Sequence, residues 1–249
     1  MAELIEITTP DGTAEAYLAR PAGESRGGVL FYMDAIGLRP RIADMVDTIA
    51  GWGYTVLAPN VFYRTGTAAE TSPTADLRDP EARAAFFASG VMDRVNGLTP
   101  DQIAIDVPAY AAVLEEYAGA GPIGATGYCM GARIAVRTAG LLPDKVAAVG
   151  GFHGGGLVTD DPASPHTAIA GTRAEYVFGH ADSDGSMTPE NVAALGETLQ
   201  AAGVAYRNEI YPGAAHGYTM EDTSQWNAQA CERHFAELRD VLDRTLGAS

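Results

Sequence analysis

Ile123-Gly124-Ala125-Thr126-Gly127-Tyr128-Cys129-Met130-Gly131-Ala132-Arg133-Ile134-Ala135-Val136 reads as a short strand turning abruptly into a helix, with a cysteine at the bend and a glycine two residues to either side. A side chain exposed at so sharp a bend brings its neighbours against other backbone, and glycine at both flanks removes the Cβ atoms that would collide. The spacing is that of a nucleophile elbow, here G-x-C-x-G. A helix over residues 130–139 would aim its free N–H groups and the positive end of its dipole at Cys129, favouring thiolate. The alternative for the same residues is a buried structural cysteine after a core strand, so the rest of the chain must decide.

Working outward, the apolar runs at 28–32 and 55–58 flank a helical pattern at 41–50, and strand, helix, strand in that order implies a parallel crossover. At the start of the chain, residues 4–8 and 14–20 flank Pro10-Asp11-Gly12, a turn signature, and read as an antiparallel hairpin at a sheet edge. Further strands are expected at 145–149, 175–178 and 205–211. Helices are expected at 189–202, opened by Thr188 and Pro189, and at 225–246. Residues 64–100 break this rhythm: polar and Pro-rich to Pro80, then a helix over 81–87, before a capped helix from Thr99 to Tyr117. The expected fold is α/β: a single domain over 1–249, a mostly parallel sheet with helices on both faces, and 64–100 as a lid, a substrate-binding excursion or a surface loop without a role.

The formal charge of −16, from 16 basic and 32 acidic residues, argues against nucleic acid and anionic membrane surfaces as partners. The N-terminus has no basic, apolar leader pattern and no apolar run reaches bilayer length, so a soluble, cytoplasmic protein is expected. Cys129 and Cys231 are the two cysteines, and free thiols are the favoured reading over a disulfide.

A nucleophilic thiol needs a base, and the base needs an acceptor that fixes its tautomer. His216, in Tyr211-Pro212-Gly213-Ala214-Ala215-His216-Gly217-Tyr218 beyond the last strand, stands where an α/β-hydrolase places its catalytic histidine, although a turn-stabilising surface histidine would look similar. His153 and His180 are also expected after strands and could line a pocket, while His166 and His234 carry no signal. The acceptor should follow the strand at 175–178, where Asp182 and Asp184 both qualify. Asp184 is preferred for its position at the Gly185-Ser186 bend. Nucleophile, acid and histidine then follow in the chain order of the α/β-hydrolases. The oxyanion hole is expected from the N–H of Met130 and one from the loop after 28–32, most simply Ala35, with Asp34 beside it near the sulfur or capping the loop.

Four segments together resemble the dienelactone hydrolase family: Phe31-Tyr32-Met33-Asp34-Ala35-Ile36-Gly37, Gly127-Tyr128-Cys129-Met130-Gly131, the 182–189 loop with Asp184, and Tyr211-Pro212-Gly213-Ala214-Ala215-His216-Gly217. The resemblance implies an α/β-hydrolase domain, a triad of Cys129, Asp184 and His216, and hydrolysis of a small lactone or ester without metal or cofactor. In well-characterised members a glutamate that helps control the cysteine's ionisation occupies the position of Asp34, so this chain departs there by one methylene. Members also hold a substrate carboxylate with arginines; Arg78, Arg83, Arg94 and Arg207 are the candidates here. A carboxylesterase or thioesterase for another activated acyl group, and a catalytically silent thiol-sensing or binding domain, are the alternatives.

Overall fold

The computed structural model describes residues 1–247. Strands β1 (Glu3–Thr9) and β2 (Gly12–Ala19) form the N-terminal hairpin, with the turn at Pro10 and Asp11. Strand β3 (Gly28–Tyr32), helix α1 (Pro40–Ala50) and strand β4 (Thr55–Pro59) follow as a parallel crossover. The excursion holds short helices α2 (Ala68–Thr71), α3 (Pro80–Phe86) and α4 (Met92–Gly97). A kink at Ser89 and Gly90 separates the last two, with Gly90 at φ 95°, a value suited to glycine. Helix α5 (Pro100–Ala118) opens with the Thr99–Gln102 capping box and leads into strand β5 (Ile123–Tyr128) and helix α6 (Met130–Leu141). Strands β6 (Val146–Phe152), β7 (Glu175–Ala181) and β8 (Tyr206–Tyr211) alternate with helix α7 (Pro189–Ala202), and helix α8 (Ala228–Thr245) ends the chain.

The eight strands lie in the order β1-β2-β4-β3-β5-β6-β7-β8, antiparallel through β2 and parallel from β4 onward. Central strands β3, β4 and β5 are buried along their whole length, as strands covered on both faces must be, which is why β3 and the Val56–Ala58 part of β4 are continuous apolar runs rather than alternating ones. Strands β6 and β7 run three residues past the positions their apolar cores suggest, to Phe152 and Ala181. His180 consequently lies within β7, not after it, stacked along Phe178 and bonded to Asn208 Oδ1 at 2.6 Å.

The bend at Cys129 is as tight as its glycines suggest. A Cβ on Gly127 would stand 2.0 Å from the Gly131 carbonyl oxygen, and one on Gly131 would stand 2.3 Å from the Tyr32 carbonyl oxygen. Both collisions are with backbone, which cannot swing aside as a side chain does. Gly131→Ala is therefore expected to destabilise the fold by about 3 kcal/mol or more, at the top of the range for overpacking, by pushing α6 off β3. Chemical denaturation of the variant would measure this, and a wild-type midpoint would contradict the packing described.

The excursion is tied down at two points ahead of α3. At its start Arg64 pairs in two-pronged fashion with buried Asp106 of α5, at 2.7 and 2.8 Å. At Leu77 it bridges to Thr223, in the segment that follows His216. These anchors hold α3 and α4 over the carboxyl ends of the parallel strands, where an open α/β sheet presents its ligand crevice.

Candidate active site

Every loop that leaves the carboxyl end of a strand from β3 to β8, β4 apart, delivers one of the residues singled out above. Cys129 follows β5 with φ 54° and ψ −117°, a conformation that strains any residue with a Cβ and thrusts the side chain out of the sheet plane. Its own N–H is held by the Phe152 carbonyl at 3.1 Å, which fixes the bend against β6. The Met130 amide, the first of α6, points back at the sulfur.

His216 and Asp184 meet across the crevice, 2.6 Å from Nδ1 to Oδ2. The other carboxylate oxygen of Asp184 accepts from the Ser186 amide at 2.9 Å and its hydroxyl at 2.7 Å, so both oxygens are engaged. Although burial alone would raise its pKa, these bonds and the charge of His216 hold it down at about 2. An ionised Asp184 on Nδ1 leaves Nε2 to face the Cys129 sulfur. For the Cys129 thiol, burial pushes the pKa up, but the neighbouring His216 charge, its hydrogen bond and the Met130 N–H outweigh that and lower it. His216 moves the opposite way, pushed up to about 10: burial would lower it, but the Cys129 thiolate and Asp184 outweigh that. The two shifts are reciprocal, each group favouring the charged form of the other.

Asp182 is turned to a different task. Its Oδ2 accepts the Gly213 amide at 2.8 Å and its own amide donates to the Ala214 carbonyl at 2.7 Å, bracing the acid loop against the loop that carries His216. His153, at φ 38°, is buried with its ring edge-on to His216, centroids 5.3 Å apart, and Nε2 bonded to Thr219 at 2.8 Å. Burial, then the charge of His216, push its pKa well down, so it stays neutral beside that cation. His234 is a core residue packed on Tyr128 and Phe152, and His166 bonds Ser164. Cys231 is a buried free thiol on α8 whose pKa burial raises, in contrast to Cys129.

Asp34 lies in the same crevice, lining a small pocket with Ala35, Cys129, His153 and His216. Its Oδ1 closes an Asx turn on the Ile36 amide at 3.1 Å and also accepts Arg39 Nη1 at 2.6 Å. Arg39 is 4% exposed and reaches on to Asp222, Nε to Oδ2 at 2.5 Å, joining the loop after β3 to the segment after His216. This Asp34–Arg39–Asp222 chain, buried at Asp34 and Arg39, was not foreseen from the sequence, because 183 residues separate Arg39 from Asp222. The Ala35 amide has no acceptor among the described residues, and Ala35 and Met130 both line the crevice.

That crevice is a cavity of about 420 Å³ whose floor is Cys129, Asp184 and His216 and whose roof is the excursion, through Arg83, Phe87, Met92 and Val95. Of the other candidate arginines, Arg94 lies over the Phe62 ring, Arg78 reaches the Glu221 carbonyl, and Arg207 pairs with Glu237. Among the described residues no group of three or more His, Cys, Asp or Glu is placed to hold a metal ion, and no helix is long and apolar enough to cross a membrane.

A mostly parallel sheet of this order, with an elbow after β5 and a histidine after β8, is an α/β-hydrolase fold. The profile of the dienelactone hydrolase family matches residues 14–246, and the chain belongs to that family of carboxylic ester hydrolases. A protein of Methylorubrum extorquens named "Putative carboxymethylenebutenolidase" is 26% identical over 244 residues, covering 95% of this chain and 78% of that one. Among solved structures, that titled a putative dienelactone hydrolase of Klebsiella pneumoniae superposes with a TM-score of 0.82 at 19% identity, over 100% of this chain and 99% of that one. The dienelactone hydrolase of Anabaena variabilis gives 0.61 at 16% identity, over 98% of each chain, a likeness of fold.

Proposed function

We propose that the protein hydrolyses a lactone or an activated carboxylic ester through a covalent thioester on Cys129. The observation that carries this is the 2.6 Å bond from His216 to an ionised Asp184 beside a thiol whose pKa is lowered. The Cys129 thiolate attacks the carbonyl carbon, and the oxyanion that forms is met by the amides of Met130 and Ala35, each worth about 3–4 kcal/mol in the transition state. The intermediate expels the alcohol oxygen, which takes the proton held on His216. Neutral His216 then removes a proton from water, the hydroxide attacks the thioester, and the thiolate departs from the new acid. Asp184 keeps Nδ1 protonated throughout.

Thiolate is itself a good leaving group, so the first intermediate goes forward only when the alcohol also leaves readily. Enol lactones and aryl esters meet that condition and simple alkyl esters do not. The relatives' name, a hydrolase of a butenolide, agrees with that class. Turnover of aryl acetates and enol lactones, with ethyl esters far slower, is the expected result of a substrate screen. Equal rates on ethyl and aryl esters would oppose a thiolate mechanism.

The role of Asp34 follows from sign. Its carboxylate raises the Cys129 pKa against the opposing pull of His216. Asp34→Asn is expected to move the pH profile of Cys129 alkylation by iodoacetamide to lower pH, leaving Cys231 unlabelled. It is also expected to cost about 3 kcal/mol of stability, since Arg39 loses one partner of a buried pair but keeps Asp222. Superimposable alkylation profiles would leave Asp34 a structural residue only.

A further inference from the structure

Arg39 is the N-cap residue of α1, yet its side chain caps nothing and is turned into the protein. All five of its N–H groups are engaged. Nη1 donates to Asp34 Oδ1 at 2.6 Å and to the Gly37 carbonyl at 3.1 Å. Nη2 donates to Asp34 Oδ2 and to Asp222 Oδ1, each at 3.2 Å, and Nε donates to Asp222 Oδ2 at 2.5 Å. A guanidinium offers five donors in a fixed fork, so this site satisfies it completely and would not satisfy an ammonium. Well-packed apolar side chains in place of a buried ion pair are often as stable or more so, and stability alone does not account for such a group here.

Asp34 supplies the account. It lines the small pocket that also holds Cys129, His153 and His216, where a carboxylate opposes thiolate on the sulfur. Arg39 engages both of its oxygens, and the Ile36 amide shares one of them. A cation in contact with the carboxylate offsets much of the field that would reach the sulfur. Asp222 has a side chain 31% exposed, so water screens it. The other charged or titratable groups facing Cys129 are His216 with Asp184 behind it, neutral His153, Arg83 from α3 and Arg133 from α6. Among the described residues none of them bonds to Arg39 or Asp34, so the pair can be altered without breaking their contacts.

We propose that Arg39 is a positioning residue of the reaction centre: it neutralises Asp34 from behind, so that an acid can stand in the crevice without suppressing the Cys129 thiolate. Arg39 does not line the crevice itself and acts only through Asp34. The proposal rests on the reading of Cys129 as the nucleophile.

The test is the pH dependence of Cys129 alkylation by iodoacetamide, mapped by mass spectrometry, in a set of variants. Arg39→Met leaves Asp34 uncompensated, and the profile is expected to move up by roughly one pH unit, the effect of one charge near the sulfur in a medium of intermediate dielectric. Arg39→Met/Asp34→Asn removes both charges and is expected to return to the wild-type profile. A merely structural role would not give that recovery, because the double variant has lost the whole clamp. Asp222→Asn breaks the other arm alone and is expected to leave the profile unraised. An unmoved profile in Arg39→Met, a double variant that stays shifted, or an equal rise in Asp222→Asn overturns the proposal. Where Arg39→Met does not fold, the double variant is compared with Asp34→Asn, since neither buries an unpaired carboxylate. Adding the arginine change to Asp34→Asn is expected to raise the profile by the same unit, and no rise overturns the proposal. Cys129 inert in every protein would sink the nucleophile reading and this proposal together, whereas a reactive Cys129 whose profile ignores Arg39 overturns this proposal alone.

Discussion

Asp184→Asn is expected to lower kcat by about 10⁴-fold, as losing the orienting carboxylate does in serine hydrolases, with the fold intact. Both oxygens of Asp184 are committed, one to His216 and one to Ser186. An amide in its place must offer its NH₂ group to one of them. If it meets Nδ1, the imidazole must accept there and carry its proton on Nε2, where it can no longer take one from sulfur. The variant should also lose the acid limb of its pH dependence. A carboxylate held at about 2 contributes stability that is present above the ordinary carboxylate range and lost as pH falls through about 2, so removing it costs stability at neutral pH but not in strong acid. Asp182→Asn, which touches the bracing bond to Gly213, is expected to reduce thermal stability more than rate. Steady-state kinetics on the two variants check the assignment, and the reverse order of effects would transfer the acid's role to Asp182.

Cys129→Ala is expected to abolish turnover, by about 10⁶-fold if the residue behaves as nucleophiles of other triads do. The strained backbone gives this prediction a companion. With φ 54° and ψ −117° at Cys129, any Cβ is held in an unfavourable region at a cost of about 1–3 kcal/mol, which glycine escapes at an entropic cost of about 0.5–1 kcal/mol. Cys129→Gly should therefore be inactive yet more stable than Cys129→Ala. Parallel melting curves would show it, and a less stable glycine variant would mean that the bend carries no strain.

Residues whose roles are set by near neighbours in the chain were legible beforehand. Gly127 and Gly131 announce a bend because only a missing Cβ tolerates the contacts with Gly131 and Tyr32 that the bend forces. The buried strands β3 and β4 announce themselves as apolar runs, β5 by its place before the elbow, and the capping box at Thr99 and Gln102 marks the start of α5. The ends of β6 and β7 were harder to read. Gly150 and Gly151 have low strand propensity, and the continuation of β7 through Gly179 and His180 is held by pairing with β8 rather than by any local preference. Choosing between Asp182 and Asp184 needed the fold, because both follow the same strand and differ only in which loop they reach. The Asp34–Arg39–Asp222 chain is a tertiary fact, made of residues that meet only once the sheet has closed.

The central claim is that an acyl group passes through the Cys129 sulfur. Intact-protein mass spectrometry of the enzyme quenched in acid during turnover of a slowly deacylating aryl ester tests it most directly. The expected result is a single adduct of the acyl mass, released by neutral hydroxylamine and mapped to the peptide holding Cys129, formed far less in Asp184→Asn. Turnover with no adduct on Cys129, or an adduct on Cys231 alone, would contradict it.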